Sequence, residues 1–497
     1  MDRETVLIAT AGVMGVCLIF LMRRRRQDTL GGGHVMFHPR LESKLDMSSR
    51  GEVAGSLLHP EGPNIGAQSE RHWFSKDPHY PERTDLLHTG HAQGGKLVIV
   101  MVGVPGRGKT YIARKVARYL RWINYRTRVF SLARMRQEQF GQKQSADWYD
   151  PNNADAHSLR MEVLRRAVDD MMRFLNRGGE VAILDGTNVT KDRRELIRKA
   201  VAQQDGFSVM FIESVCDDPE VIQETLSGVE NYSPDFIASD DFARRVDFYT
   251  SVYQSVDDDE GMLIRVHNQG QRICVAGLQG FLPSKLLAFV SNLHGTVSPP
   301  VYMTRHGESM FNVEHRIGGD SPLSDAGRQY SGALSDFFEK LPNVSDTLCV
   351  WSSTMRRARQ TANPVVARKL CKRYVEWRAL REIEVGVCDG LTYQDVKQEF
   401  PSEYAAREEN KLRYRYPRGE SYLDLISRLE PVIIEFERQA EPLLIVAHQA
   451  VLRCLYAYFL DLPEEEVPYL SIPLHTVIKL ENRAFGWREQ RFTLAST

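Results

Sequence analysis

The stretch KLVIVMVGVPGRGKTYIARKVARYLRWI, from Lys96 to Ile123, leaves a chain few ways to fold. Its first part, Lys96 to Gly103, is a continuous apolar run of the kind carried by a strand covered on both faces of a parallel sheet. It passes into Gly103-x-x-x-x-Gly108-Lys109-Thr110 and then into a helical pattern that starts at Thr110. Strand, glycine-rich loop and helix in that order build a phosphate cradle. Gly103, Gly106 and Gly108 let backbone N–H groups turn inward, Lys109 neutralises the terminal phosphates, and the Thr110 hydroxyl can ligand Mg²⁺. The expected ligand is ATP with its magnesium. Two further apolar strands, EVAILDG (Glu180 to Gly186) and FSVMFIES (Phe207 to Ser214), are separated by helical patterns. This half reads as a doubly wound α/β domain over 95–294. Asp185 ends the second of these strands, where a P-loop enzyme places a carboxylate that orients magnesium or accepts a proton from the acceptor hydroxyl. On its own an aspartate at a strand end is more often a helix cap, and the functional reading rests on the P-loop beside it.

The segment HGTVSPP (His294 to Pro300) breaks the pattern, after which the strands VYMTRHG, TLCVWSS and PLLIVAHQ again alternate with helices. A second doubly wound α/β domain is expected over 300–497. His306 and His448 each follow an apolar strand at its C-terminal end, where open α/β sheets place ligands. Arg305 precedes the first, and SSTMRRARQT supplies Arg356, Arg357 and Arg359 after another strand end. Such cations would hold a phosphoryl group while a neutral imidazole attacks it, and would stabilise the transition-state oxygens. Glu382, in LREIEVGVCDG, is the candidate acid for the leaving alkoxide. This chemistry needs no metal.

Charge excludes some classes. The 64 Lys+Arg residues balance 65 Asp+Glu, a net charge of −1, so no overall field draws the chain to nucleic acid. Seven scattered cysteines without a C-x-x-C pair argue against a disulfide framework or zinc site and suit a reducing compartment. Near the start, Thr5 to Met22 is uncharged and is followed at once by Arg23 to Arg26. That order predicts an uncleaved transmembrane anchor over 5–22, with the rest of the chain facing the cytosol on the endoplasmic reticulum or outer mitochondrial membrane. A buried or frayed N-terminal helix is the other reading. Residues 27–94, rich in Gly, Pro, Ser and His, read as a flexible tether.

The segments MVGVPGRGKTYIARKVARYLRWI, FIESVCDDPE, TRHGESMFNVEHRIGGDSPLS, RYRYPRGESYLDLISRLEPVI and VPYLSIPLHTVIKL closely resemble the 6-phosphofructo-2-kinase/fructose-2,6-bisphosphatase family, over about residues 96 to 494. The resemblance implies a P-loop kinase that makes fructose 2,6-bisphosphate from fructose 6-phosphate and ATP. It also implies a phosphoglycerate-mutase-like histidine phosphatase that removes the 2-phosphate. In the phosphatase half it implies His306 as nucleophile, Arg305, Arg357 and His448 holding phosphate, and Glu382 as proton donor. Substrate contacts are then expected from Asn312, Gly318, Tyr393, Arg407, Lys411, Tyr422, Gln449 and Arg453. In the kinase half, Asp185, Thr187, Arg193, Arg160, Arg245, Tyr249 and Cys216 match motif positions, and Arg136 matches one of a sugar-phosphate-binding arginine pair. Expected partners are the two sugar phosphates, the membrane through residues 5–22, and a second copy of the chain in a homodimer.

The chain departs from the family at three places. Gln137 stands for the second arginine of the pair, Thr225 for an asparagine and Glu230 for a lysine, and no lysine occurs between Ala200 and Ser284. Weak or absent kinase activity beside an intact phosphatase is the expectation that follows. The rival readings are a phosphatase with an ATP-binding but inactive kinase domain, another small-molecule kinase fused to a broad phosphatase, and a membrane-tethered silent scaffold. Intact Lys109, His306 and Glu382 count against the last.

Overall fold

The computed structural model describes residues 95–223, 236–293, 299–341, 344, 346–483 and 486–494. The expected anchor 5–22, the tether 27–94, and Thr225 and Glu230 lie outside the described residues. The expectation of a membrane-anchored chain is corrected by the helices that are seen: among the described residues no helix is long and apolar enough to cross a membrane. The longest of them, Ala154–Asn176, carries Arg160, Glu162, Arg165, Arg166, Asp169 and Asp170. A span needs about 20 mostly apolar residues in a row.

Six strands form the N-terminal sheet: β1 (Lys96–Val102), β2 (Thr127–Ser131), β3 (Val181–Asp185), β4 (Phe207–Val215), β5 (Met262–His267) and β6 (Arg272–Ala276). Their spatial order is β2-β3-β1-β4-β5-β6, parallel except for β6, which runs antiparallel on the edge. Helices of this half include α1 (Lys109–Trp122), α2 (Leu132–Phe140), α3 (Ala154–Asn176), α4 (Lys191–Ala202), α5 (Ser239–Ser251) and α6 (Phe281–Val290). β1 is apolar from Leu97 to Val102 because both its faces are covered. Leu97, Ile99 and Met101 pack with Ile112, Val116 and Leu120 of α1 in one core, while Val98, Val100 and Val102 pack with Leu164, Val168 and Met171 of α3 in another. With β3 on one side of β1 and β4 on the other, the strand order reverses beside β1, which opens a crevice at its C-terminal end.

The C-terminal sheet holds β7 (Val301–Arg305), β8 (Cys349–Ser353), β9 (Arg373–Trp377), β10 (Leu443–Ala447), β11 (Thr476–Arg483) and β12 (Gly486–Thr493), in the order β12-β11-β7-β10-β8-β9. β7, β10, β8 and β9 are parallel, and the β11/β12 hairpin adds two antiparallel strands beside β7. Around it lie α7 (Met310–Val313), α8 (Asp325–Glu339), α9 (Arg356–Ala367), α10 (Tyr393–Glu399), α11 (Pro401–Glu409), α12 (Tyr422–Glu437) and α13 (Gln449–Leu460). Both sheets are therefore α/β and mixed, parallel at the centre and antiparallel at one edge.

The two halves share a core. Tyr119 and Trp122 of α1 belong to the same buried cluster as Phe436, Leu455 and Tyr458 of α12 and α13. The Trp122 indole N–H donates to Cys454 O at 2.9 Å, and the Tyr119 hydroxyl donates to Glu430 at 2.7 Å. The helix that begins at the P-loop thus packs on the helix that begins next to His448.

Candidate active sites

At the end of β1 the chain must turn sharply to enter α1. Gly103 and Gly108 take φ of 138° and 78°, and a Cβ on Gly103 would lie 2.4 Å from Ser214 O. Side chains are excluded at Gly103 by both conformation and space, and disfavoured at Gly108 by conformation alone. The adjacent β3 end is stitched to the loop, with Gly103 N–H donating to Thr187 O at 2.9 Å. This brings Asp185 to α1, where the Thr110 hydroxyl donates to its two carboxylate oxygens at 3.0 and 3.1 Å. Burial pushes the Asp185 carboxyl up, with Lys109 and Thr110 opposing. Lys109 donates to Val104 O at 2.6 Å, and burial pushes its ammonium down to about 7. A hydroxyl beside a buried carboxylate is an all-oxygen donor pair, which fits Mg²⁺. Next to the loop, Tyr111, Ile112, Cys216, Val221, Val266 and Leu293 line an apolar cavity; burial pushes the Cys216 thiol up.

Across the crevice, arginines gather around two tyrosines. The Arg245 guanidinium lies 3.9 Å from the Tyr149 ring centroid and that of Arg136 6.0 Å, while Tyr149 and Tyr249 rings stand 5.8 Å apart. Arg160 donates to the carbonyls of Trp148 and Asp150. Arg193 is pushed down by burial, with Tyr249 opposing and Arg160 adding to the fall. The Nε–H groups of Arg193 and Arg245 are buried without a hydrogen-bond partner among the described residues. Buried donors of this kind need an acceptor, and an anion would supply one. Gln137 follows Arg136 on α2, half-buried.

In the other half, register decides the site. Ala447 of β10 pairs with Arg305 of β7, so the next residue on each strand is a histidine, and their rings lie 5.0 Å apart. His306 is 3% exposed and His448 0%. His306 Nδ1–H donates to Gly307 O at 2.7 Å, and Arg357 Nε–H donates to His306 Nε2 at 3.0 Å. Nδ1 therefore carries the proton and Nε2 the lone pair. Burial, then Arg357, then Arg305 hold the imidazole well below its ordinary range, so it is neutral near pH 7. His448 is depressed likewise, by burial first and Arg357 next, and its Nε2 hydrogen-bonds Ser353 Oγ at 2.8 Å. Burial pushes Arg305 down to about 10, with Glu382 pulling the other way. Glu382 accepts from the Ala450 and Ile383 N–H groups at 3.2 and 3.0 Å, at the start of α13.

A second cationic group lies on the same side. Arg407 donates to the Tyr416 and Tyr393 hydroxyls at 2.8 and 3.2 Å, and Arg453 donates to Tyr422 at 3.1 Å and Leu470 O at 2.7 Å. Burial pushes Lys411 down to about 8, and Arg407 and Arg453 add to this.

Most of the expected residues thus converge, but not all. Of the three arginines after β8 only Arg357 turns inward; Arg359 pairs with Glu376 at the surface and Arg356 is exposed. The Asn312 side chain is occupied in a capping box with Ser309. Gly318 has φ 75° and precedes Gly319, whose carbonyl accepts from Arg357 at 2.7 Å. Gln449 opens α13 directly after His448. Sequence reasoning passed over Tyr149, Tyr416 and Ser353. Ser353 carried a signal, since it is a polar residue closing a fully buried strand.

Fold and sites together define a P-loop kinase joined to a histidine phosphatase. The family described as 6-phosphofructo-2-kinase matches residues 85–297, and the histidine phosphatase superfamily (branch 1) matches 301–494. The chain is 42% identical over 414 residues to a 6-phosphofructo-2-kinase/fructose-2,6-bisphosphatase of Arabidopsis thaliana, covering 82% of this chain but 55% of that longer relative. It is 44% identical over 409 residues to human 6-phosphofructo-2-kinase/fructose-2,6-bisphosphatase 3, covering 80% of this chain and 76% of the relative. The corresponding protein of Caenorhabditis elegans is 42% identical over 435 residues, covering 84% and 90%. The chain belongs to the 6-phosphofructo-2-kinase/fructose-2,6-bisphosphatase family.

Proposed function

We propose that this chain sets the level of fructose 2,6-bisphosphate, its N-terminal domain transferring the γ-phosphoryl group of ATP to O2 of fructose 6-phosphate and its C-terminal domain removing it through a phosphohistidine. Family membership supports both activities. The observation that carries the hydrolytic half is the tautomer of His306, protonated on Nδ1 by its bond to Gly307 O and presenting Nε2 toward Arg357.

In hydrolysis, the Nε2 lone pair forms a bond to phosphorus as the bond from phosphorus to fructose O2 breaks. Glu382 delivers a proton to the departing O2. Arg357 releases the lone pair it had capped and, with Arg305 and His448, takes the phosphoryl oxygens. Water then attacks phosphorus, Glu382 takes up a proton from it, and the N–P bond breaks to return His306 and inorganic phosphate. Arg407, Lys411 and Arg453, on the same side of the domain, suit the second phosphate of the substrate.

In synthesis, the P-loop N–H groups and Lys109 hold the triphosphate, and Arg136, Arg160, Arg193 and Arg245 with Thr187 and Tyr249 hold the sugar phosphate. Asp185 takes the proton of the attacking hydroxyl. Magnesium, when bound, would take the Thr110 hydroxyl and the Asp185 carboxylate and neutralise charge on the triphosphate.

We further propose that hydrolysis outruns synthesis, because Gln137 and Glu230 replace cations among reacting groups that are all anionic. The two rates, measured separately on the purified full chain with fructose 6-phosphate plus MgATP and with fructose 2,6-bisphosphate, test both readings. No hydrolysis would overturn the first, and synthesis faster than hydrolysis the second.

A further inference from the structure

One imidazole outside the groups assigned above reaches the nucleophile through a single peptide unit. The carbonyl of that unit, on Gly307, accepts from His306 Nδ1–H at 2.7 Å, and its N–H, on Glu308, donates to His475 Nε2 at 3.3 Å. His475 is the turn residue immediately before the strand β11, which pairs with β7 and so brings it beside His306. Its ring stacks on Tyr330 with centroids 4.8 Å apart and an interplanar angle of 21°. The Tyr330 hydroxyl in turn hydrogen-bonds the Thr304 hydroxyl at 2.5 Å, two residues before His306. His475 has φ 56°, a conformation uncommon for a residue other than glycine and held only where the surroundings over-determine it.

The residues on both sides of this peptide are held in place. Gly307 N–H donates to Thr361 Oγ1 at 2.9 Å, and a Cβ on Gly307 would meet Gly327 O at 2.5 Å, so this backbone lies flat against α8. The Glu308 carboxylate accepts from the Ser324 hydroxyl at 2.6 Å. His475 remains an acceptor near neutral pH because burial lowers its basicity, Glu308 opposing and Arg305 adding to the fall.

We propose that His475 is a positioning residue for phosphoryl transfer: by accepting the Glu308 N–H it orients and polarises the Gly307–Glu308 peptide, whose carbonyl holds His306 in the Nδ1–H tautomer with Nε2 free to attack. A peptide that donates at its N–H becomes a better acceptor at its carbonyl, and the bond made by one imidazole nitrogen sets the state of the other. The inference rests on His306 being the nucleophile of a fructose 2,6-bisphosphate phosphatase.

Two substitutions separate the acceptor from the ring. His475→Phe keeps an aromatic ring for Tyr330 and removes the acceptor, whereas His475→Gln loses the ring and carries an oxygen to about the position of Nε2. For hydrolysis by the full chain, His475→Phe should lower kcat at least about tenfold, the effect of roughly one hydrogen bond. KM should stay within about twofold, single-turnover labelling of His306 should slow in parallel, and His475→Gln should recover most of the loss. Unaltered kcat in His475→Phe, equal losses in both variants, or a rise in KM as large as the fall in kcat would overturn the proposal. Should His475→Phe lack a folding transition, His475→Asn decides in its place: its short amide tolerates the positive φ but falls short of Glu308, so the same loss is expected and unaltered kcat overturns. An unaltered chain without hydrolysis would sink the functional reading and this inference together, whereas an active chain with an unaffected His475→Phe sinks only the inference.

Discussion

Glu437 of α12 lies 2.8 Å from Lys115 and 2.8 Å from Arg118, two cations on the helix that starts at the P-loop. The Glu437 side chain is 1% exposed, and its carboxylate also accepts from the Tyr458 hydroxyl of α13. Against burial, Lys115 and Arg118 hold it below the usual carboxylate range, while burial pushes Lys115 down to about 8. Arg121 and Asp461 extend the same seam. One ionic cluster therefore joins the helix carrying the nucleotide site to the helices beside His448.

Removing the anion should be costly because two buried cations would lose their partner. Glu437→Gln is expected to destabilise the folded chain by about 3–5 kcal/mol, read from denaturant midpoints. Replacing Glu437, Lys115 and Arg118 together by Leu and Met should recover most of that loss. A cost below about 1 kcal/mol for the single change would show that water reaches the cluster.

Hydrolysis should leave a covalent mark on one residue. Brief exposure to substrate labelled on the 2-phosphate is expected to give acid-labile, base-stable label, absent in His306→Ala, whose kcat should fall by at least about 10³. EDTA should spare this activity, since Arg305 and Arg357 carry the charge stabilisation, and should abolish synthesis, which handles a magnesium nucleotide. Label retained by His306→Ala, or hydrolysis lost to EDTA, would contradict the mechanism.

The two buried imidazoles make stability depend on pH in a definite sense. The folded chain keeps His306 and His448 neutral, whereas the unfolded chain protonates them near pH 6.5. Below that pH the unfolded state binds more protons, so stability should fall as pH drops, by up to about 1.4 kcal/mol per pH unit for each histidine. Thermal melts from pH 7.5 to 5 should show this slope, and His448→Asn should remove about half of the part due to the pair. A flat profile would mean that neither ring is buried neutral.

The kinase half should gain from restored cations. A like charge at about 4 Å costs roughly 4 kcal/mol at an effective dielectric near 20, and each 1.36 kcal/mol of barrier is about tenfold in rate. Glu230→Lys with Thr225→Asn and Gln137→Arg should therefore raise synthesis at least about tenfold and leave hydrolysis unchanged. Lys109→Ala added to this triple variant should remove the gain. No response to the restored residues would show that they do not face the reacting groups.

Much of the fold was legible because burial writes itself into local sequence. β1, β3, β4, β7, β8 and β10 are central strands with near-continuous apolar runs, and the P-loop and both histidines follow such runs. The edge strands were not legible. β9 reads RYVEW and β12 GWREQRFT, mixed compositions that become strands only because a neighbour supplies hydrogen bonds. Among the arginines after β8 composition could not choose, whereas helix geometry does. Arg356 and Arg359 lie three residues apart on one face of α9, and Arg357 is turned about 100° from Arg356, toward His306.

The sequence by itself determined which elements bear the chemistry: two sets of strands ending in phosphate-handling residues, a P-loop in one and paired histidines with arginines in the other. Only the tertiary structure decided which groups meet. Lys115 and Glu437 stand 322 residues apart along the chain, and His475 reaches Glu308 across 167. Local periodicity reports whether a residue is buried. Its partner is set by sheet register and helix packing, because a buried charge or imidazole is tolerated only where the complete fold brings a complementary group within hydrogen-bonding distance.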